Sequence, residues 1–148
     1  MSRRYTGWLV AGLAAIALPL AAAAEETFTA RLSWVPIGGA ERNDVAGQGT
    51  ATASLSGAKL SIEGRYDGLP APATGAKLHE GVATGARGRG LAIAELHVTG
   101  GTSGTLTGDL RLDAEQIAAL KAGRLYVQIY SEKGVPPDHD TLWGWLLR

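Results

Sequence analysis

The sequence predicts an all-β fold, an antiparallel β-sandwich of about eight strands with one short helix between late strands. Three observations predict it. From residue 25 onward the dominant hydrophobic period is two. The chain holds 21 glycines, which fall largely between the alternating runs, as short strands and tight turns require. One stretch alone leaves that period for a helical one.

Phe28 to Trp34 is the first alternating run. Ala51, Ala53 and Leu55 then alternate with Thr50, Thr52 and Ser54. Leu60, Ile62, Gly64 and Tyr66 alternate in the same way with Lys59, Ser61, Glu63, Arg65 and Asp67. Each run has one apolar and one polar face, and Ser56-Gly57 between the last two is a tight-turn signal that makes them a hairpin. Further runs are Ala76 to Val82, Ala92 to Val98 and Thr105 to Leu112. Asp113 then opens the exception. It is an N-cap residue with Gln116 three positions on, the spacing of a capping box. Ile117 and Leu120 continue at helical spacing and Gly123 supplies the stop, which predicts a helix lying as a lid on one end of the sandwich. Arg124 to Tyr130 and Thr141 to Leu147 complete the strands, and no linker divides residues 25–148, which read as one domain.

Residues 1–24 read as an export signal. Arg3 and Arg4 are followed by the apolar run Trp8 to Leu20 and by Ala21-Ala22-Ala23-Ala24, the small residues that a signal peptidase needs. The run falls short of the roughly 20 apolar residues of a spanning helix. Thr6 and Gly7 stand where a twin-arginine motif prefers bulky apolar residues, so the general secretory route is favoured. The expected product is periplasmic or secreted, with no membrane span after cleavage. Cysteine is absent, which excludes disulfide staples, thiol nucleophiles and thiolate metal sites. The formal net charge is zero without long charge runs, which argues against nucleic acid as a partner.

The order of motifs resembles the CHRD domain family, found as repeats in animal chordin and as single copies in exported bacterial proteins. The resemblance covers nearly all of residues 25–148. It starts at Phe28-Thr29-Ala30-Arg31-Leu32 and Tyr66-Asp67-Gly68-Leu69. It runs on through Pro72-Ala73-Thr74-Gly75-Ala76-Lys77-Leu78-His79 and Gly104-Thr105-Leu106-Thr107-Gly108, then Leu112-Asp113-Ala114-Glu115-Gln116 and Gly123-Arg124-Leu125-Tyr126-Val127-Gln128-Ile129. It implies a β-sandwich, with protein binding in the animal case and no agreed activity in bacteria. Family members often carry His-x-His where this chain has Lys77-Leu78-His79, and a late histidine where it has Tyr130. Asp140-Thr141-Leu142-Trp143-Gly144-Trp145 replaces the usual Gly-Glu-Ile-Arg-Gly ending. A histidine site, if the family has one, is therefore largely lost here.

No catalytic constellation stands out. There is no Gly-x-Ser-x-Gly elbow, and Glu63 and Asp67 are interleaved with Arg65 as on a solvated strand face. Gly85-Ala86-Arg87-Gly88-Arg89-Gly90 has two arginines but no Lys-Ser or Lys-Thr after it, so it reads as a hairpin loop rather than a phosphate cradle. His79, His97 and His139 are the candidate ligands for copper or zinc, a site that needs three or four converging donors. Lys77-Leu78-His79-Glu80-Gly81 is similar to the His-x-His-Glu strand of copper–zinc superoxide dismutases, but Glu80 falls on the opposite strand face from His79. His97 shares a wet face with Ile93 and Glu95, and His139 lies between Asp138 and Asp140 in a loop.

The strongest surface signal is aromatic. Tyr126, Gln128 and Tyr130 lie opposite Leu125, Val127 and Ile129, and Trp143 and Trp145 share one side of the last strand. Either these rings form a contact surface, or both tryptophans fill the core while Leu142 and Leu146 face out, or both faces are covered. On the first reading Tyr126, Tyr130, Trp143 and Trp145 are the binding contacts, with Arg87, Arg89 and His139 at the rim and the loop Ser131 to Asp140 flanking them. The resulting expectation is a non-enzymatic exported module without cofactor, binding a periplasmic or envelope protein. A Cu/Zn or redox protein and a carbohydrate-binding module are the alternatives.

Overall fold

The structure is a computed structural model and describes residues 24–88 and 90–148. The export signal expected over residues 1–24 lies, but for Ala24, outside the described residues, as does Arg89. Eight antiparallel strands form: β1 (Glu26–Trp34), β2 (Gln48–Ser56), β3 (Lys59–Asp67), β4 (Ala73–Glu80), β5 (Leu91–Val98), β6 (Gly104–Arg111), β7 (Leu125–Val135) and β8 (Asp140–Trp145). One helix, α1 (Ala114–Lys121), joins β6 to β7.

The strands close in the order β1-β2-β3-β6-β5-β4-β7-β8, so the expected sandwich is a closed barrel. Two strands make the difference, because each pairs on both sides. β1 pairs with β2 from Glu26 to Leu32 and with β8 through Ser33 and Trp34. β5 pairs with β4 and, through His97 and Val98, with β6. A period-two pattern is the same in a sandwich and in a barrel, since it states which face is buried and not whether the edges meet.

The inward residues do what alternation requires. Phe28, Leu32, Leu60, Ile62, Leu78, Leu106, Val127, Ile129 and Leu142 are all essentially inaccessible and belong to one continuous core. An eight-stranded barrel is about wide enough for side chains alone to fill. Some glycines expected between strands instead lie within them, where the barrel is tight. A Cβ on Gly144 would sit 2.3 Å from the Arg31 carbonyl oxygen, so only glycine lets β8 close on β1 at this point.

The β2–β3 hairpin turns at Gly57 (φ +60°), as its Ser-Gly signal requires. The capping box of α1 also forms: Asp113 accepts from the Gln116 backbone at 2.8 Å and the Gln116 side chain accepts from the Asp113 backbone at 3.0 Å. Ala119 and Leu120 of the helix are buried in the core, and Lys121 pairs with Glu26 of β1 at 2.7 Å. The helix therefore closes one end of the barrel. Among the described residues no helix is long and apolar enough to cross a membrane.

Two local expectations fail for physical reasons. The register slips between Leu78 and His79, which face Ala94 and Ala92, so Ile93 is an extra residue at a bulge. It packs against the core instead of sharing the wet face of Glu95 and His97. The segment Ser131 to Asp140, read as a loop, is mostly strand: β7 runs on to Val135 and only residues 136–139 turn.

Candidate functional site

The register of β4, β7 and β8 builds an aromatic wall on the outside of the barrel. His79 faces Tyr126 and Tyr126 faces Trp145; Lys77 faces Gln128 and Gln128 faces Trp143; Tyr130 faces Asp140. Leu142 and Leu146 point into the barrel, fully buried, so Trp143 and Trp145 point out and stay partly exposed. The tryptophans therefore lie outside the barrel core, on an outer face that neighbouring groups partly cover.

The rings contact one another. His79 stacks on Tyr126 with centroids 5.0 Å apart and planes 10° from parallel. Tyr126 meets Trp143 at 5.9 Å and Trp145 at 5.1 Å edge to face, and the two tryptophans meet at 5.6 Å in the same manner. Such edge contacts place the positive rim of one ring on the negative face of the next.

A loop roofs part of this wall. Residues 81–90 join β4 to β5, and glycines at both ends let the backbone lie against the rings. A Cβ on Gly81 would be 2.6 Å from Trp145, and one on Gly90 would be 2.3 Å from the Tyr126 hydroxyl. Arg87, carried by this loop, donates to Gln128 Oε1 at 3.0 Å and approaches the Asp140 carboxylate at 3.7 Å. Its guanidinium lies over Trp143 at 5.0 Å and over Tyr126 at 6.0 Å, a cation–π arrangement. Arg87 is thus a latch across the rings rather than a rim residue.

Tyr126 is only 2 % exposed beneath this roof, which corrects its expected role as a contact. It is the floor that holds His79 and both tryptophans. Tyr130 stays half-buried at the surface, and Gln128, which had no assigned role, anchors the latch. Arg89 lies outside the described residues.

The polar groups of the wall pair with one another, except that one carboxylate oxygen of Asp140, Oδ1, is buried without a hydrogen-bond partner. His79 Nδ1 lies 3.3 Å from the Gly90 carbonyl, which only accepts, so this nitrogen carries the proton. Nε2 then accepts from the Tyr130 hydroxyl at 2.7 Å. Burial supports both assignments. It lowers the His79 pKa by disfavouring the cation, and it pushes the Tyr130 phenol far above its ordinary range, with Asp140 adding to the effect. Burial likewise raises Tyr126.

The three histidines do not meet. His79 spends both nitrogens as described. His97 is exposed on β5 where it pairs with β6, and His139 sits in the β7–β8 turn at φ 62° with Nδ1 3.0 Å from the Glu132 carbonyl. Among the described residues no three His, Asp or Glu side chains gather as metal ligands.

A small closed β-barrel with a partly roofed aromatic wall on its outside is a domain of binding type. The CHRD domain family profile matches residues 28–136, and the chain belongs to that family. The match ends before β8, so Trp143 and Trp145 lie beyond it. No curated protein and no solved structure matches the chain.

Proposed function

We propose that this protein is an exported, non-enzymatic binding module that acts in the periplasm or at the envelope through the outer wall of β4, β7 and β8. The observation that carries the reading is the outward placement of Trp143 and Trp145 beside core-facing Leu142 and Leu146. Partly exposed tryptophans held rigidly by neighbouring rings bury much area for little lost entropy when a partner docks. Most polar groups of the wall are occupied by a neighbour, His79, Tyr130, Gln128 and Arg87 among them, which supports binding over chemistry. The engaged nitrogens of His79 likewise leave copper or zinc little purchase there.

The test is a crosslinked pull-down of tagged mature protein from its own cell envelope, compared with Trp143→Ala. A reproducible partner lost from the variant, with the cooperative melt retained, supports the module. Identical capture by both proteins would remove Trp143 from the binding surface and sink the reading.

A further inference from the structure

The seam between β1 and β8 brings the tryptophans against a different chemistry. Ser33 faces Trp143 and Thr29 bridges to Leu147, so the intervening register sets Arg31 opposite Trp145. On its other side Arg31 faces Thr50, and Thr50 faces Arg65. A single row of outward side chains therefore runs Trp145, Arg31, Thr50, Arg65 across four adjacent strands. At about 4.8 Å per strand spacing it is about 14 Å long.

Three shallow grooves meet on this row. One of ≈ 360 Å³ lies between Trp143 and Trp145 on one side and Thr29, Arg31 and Ser33 on the other. A second of ≈ 650 Å³ continues past Arg31 over Gln48, Thr50, Thr52, Arg65 and Asp67. A third of ≈ 700 Å³ borders Arg31, Ser33 and the exposed Trp34. Arg31 lines all three. Arg87, Arg124 and Arg148 each pair with a carboxylate, whereas Arg31 forms no ion pair among the described residues. Arg65 has Glu63 and Asp67 two positions away on its own strand face, and Asp67 also lines two of the grooves that Arg31 lines.

We propose that this belt binds an acidic glycan, a chain bearing uronic acid carboxylates, with a sugar ring on Trp145 and a carboxylate on Arg31. The proposal rests on reading Trp143 and Trp145 as a binding surface, extends that surface onto β1, β2 and β3, and names its ligand. The flat C–H faces of sugars match the negative faces of indole rings. Their hydroxyls match the row of Thr29, Ser33, Gln48 and Thr50, and a planar carboxylate matches the guanidinium fork.

The experiment titrates the mature protein with polygalacturonate and, separately, with neutral dextran of similar length. Binding is read by tryptophan fluorescence and calorimetry at physiological ionic strength, where loose charge attraction is screened. Saturable binding of polygalacturonate, with dextran weaker by at least about tenfold, is expected. Arg31→Gln weakens binding by about tenfold or more, the scale of one charge-assisted hydrogen bond, and keeps the wild-type melt. Arg42→Gln, on the exposed turn Ala40–Asn43, leaves binding unchanged. Should Arg31→Gln melt early, Arg31→Lys replaces it, keeping the charge but not the fork, and binding still falls. Absence of polygalacturonate binding, equal binding by the Arg31 variants, or equal loss in Arg42→Gln overturns the proposal. If polygalacturonate fails while Trp143→Ala still abolishes capture of an envelope protein, the ligand class is wrong and the binding module stands. If neither assay responds, both readings fall.

Discussion

The barrel turns two unlike walls to the outside. On β1, β2, β3 and β6 the outward residues include Thr29, Thr50, Thr52, Thr105 and Thr107 with Glu63 and Arg65 among them, and all are exposed. The Lys59–Asp109 pair there spans 3.7 Å with both side chains mostly in water, so it adds little stability. On β4, β7 and β8 the outward residues stack, and a loop covers part of them. That wall is a small second core outside the barrel, made of rings, one guanidinium and paired polar groups, with Asp140 Oδ1 left unpartnered. The same alternating backbone produces both. What separates them is whether another segment of chain lies on top, and the partly exposed Trp143 and Trp145 stand where the roofed wall meets the open one.

The largest expected effect falls on the seam that joins the walls. Gly144→Val forces a side chain against the Arg31 carbonyl and should cost about 3 kcal/mol or more in urea unfolding, or prevent folding. Gly75→Ala, also in a strand but with nothing within 4 Å of its added Cβ, should stay within about 0.5 kcal/mol. Equal effects at the two glycines would mean that β1 and β8 do not close there.

Next comes the distinction between inside and outside on a single strand. Leu142→Ala should cost about 2–5 kcal/mol through the cavity it leaves in the barrel. Trp143→Ala, one residue on, should cost about half as much or less and keep a cooperative melt. A reversed order would return the tryptophan to the core.

Arg87→Ala tests the roof. It removes a hydrogen bond and two ring contacts, for an expected loss of about 1–2 kcal/mol. The loosened loop should also raise acrylamide quenching of tryptophan fluorescence. Unchanged quenching would show that Arg87 does not hold the loop on the rings.

The smallest effect is acidic. Burial depresses the folded-state pKa of His79 below its ordinary value of about 6.5. The neutral ring's contribution is therefore present above that pH and is lost as pH falls through the folded value. Tm should drop between pH 7.5 and pH 5 by more in the wild type than in His79→Gln. Parallel profiles would remove His79 as the source.

The legibility of the molecule followed the range of the interactions. The β2–β3 hairpin and the capping box of α1 were readable because their partners lie a few residues apart. Facing along β7 and β8 was readable because alternation is a property of one strand, although it left open which face was inside. Ile93 was misplaced because a bulge reverses the parity of a strand and depends on the neighbouring chain. Tyr126 was misjudged because the loop that buries it comes from residues 81–90, far away in sequence. Glycine at both ends of that loop was the only local trace of the close approach.

The sequence by itself determined the all-β class, most of the strand and helix positions, the family and the presence of an aromatic strip. These follow from periodicity, capping and motif order, all carried by residues close along the chain. Only the tertiary structure decided that the sheet closes, that Arg87 latches over Trp143, and that Arg31 stands opposite Trp145. Each of these is a pairing across many residues. Its energy comes from contacts that exist only once the strands are in register, and no short stretch of the chain encodes that register alone.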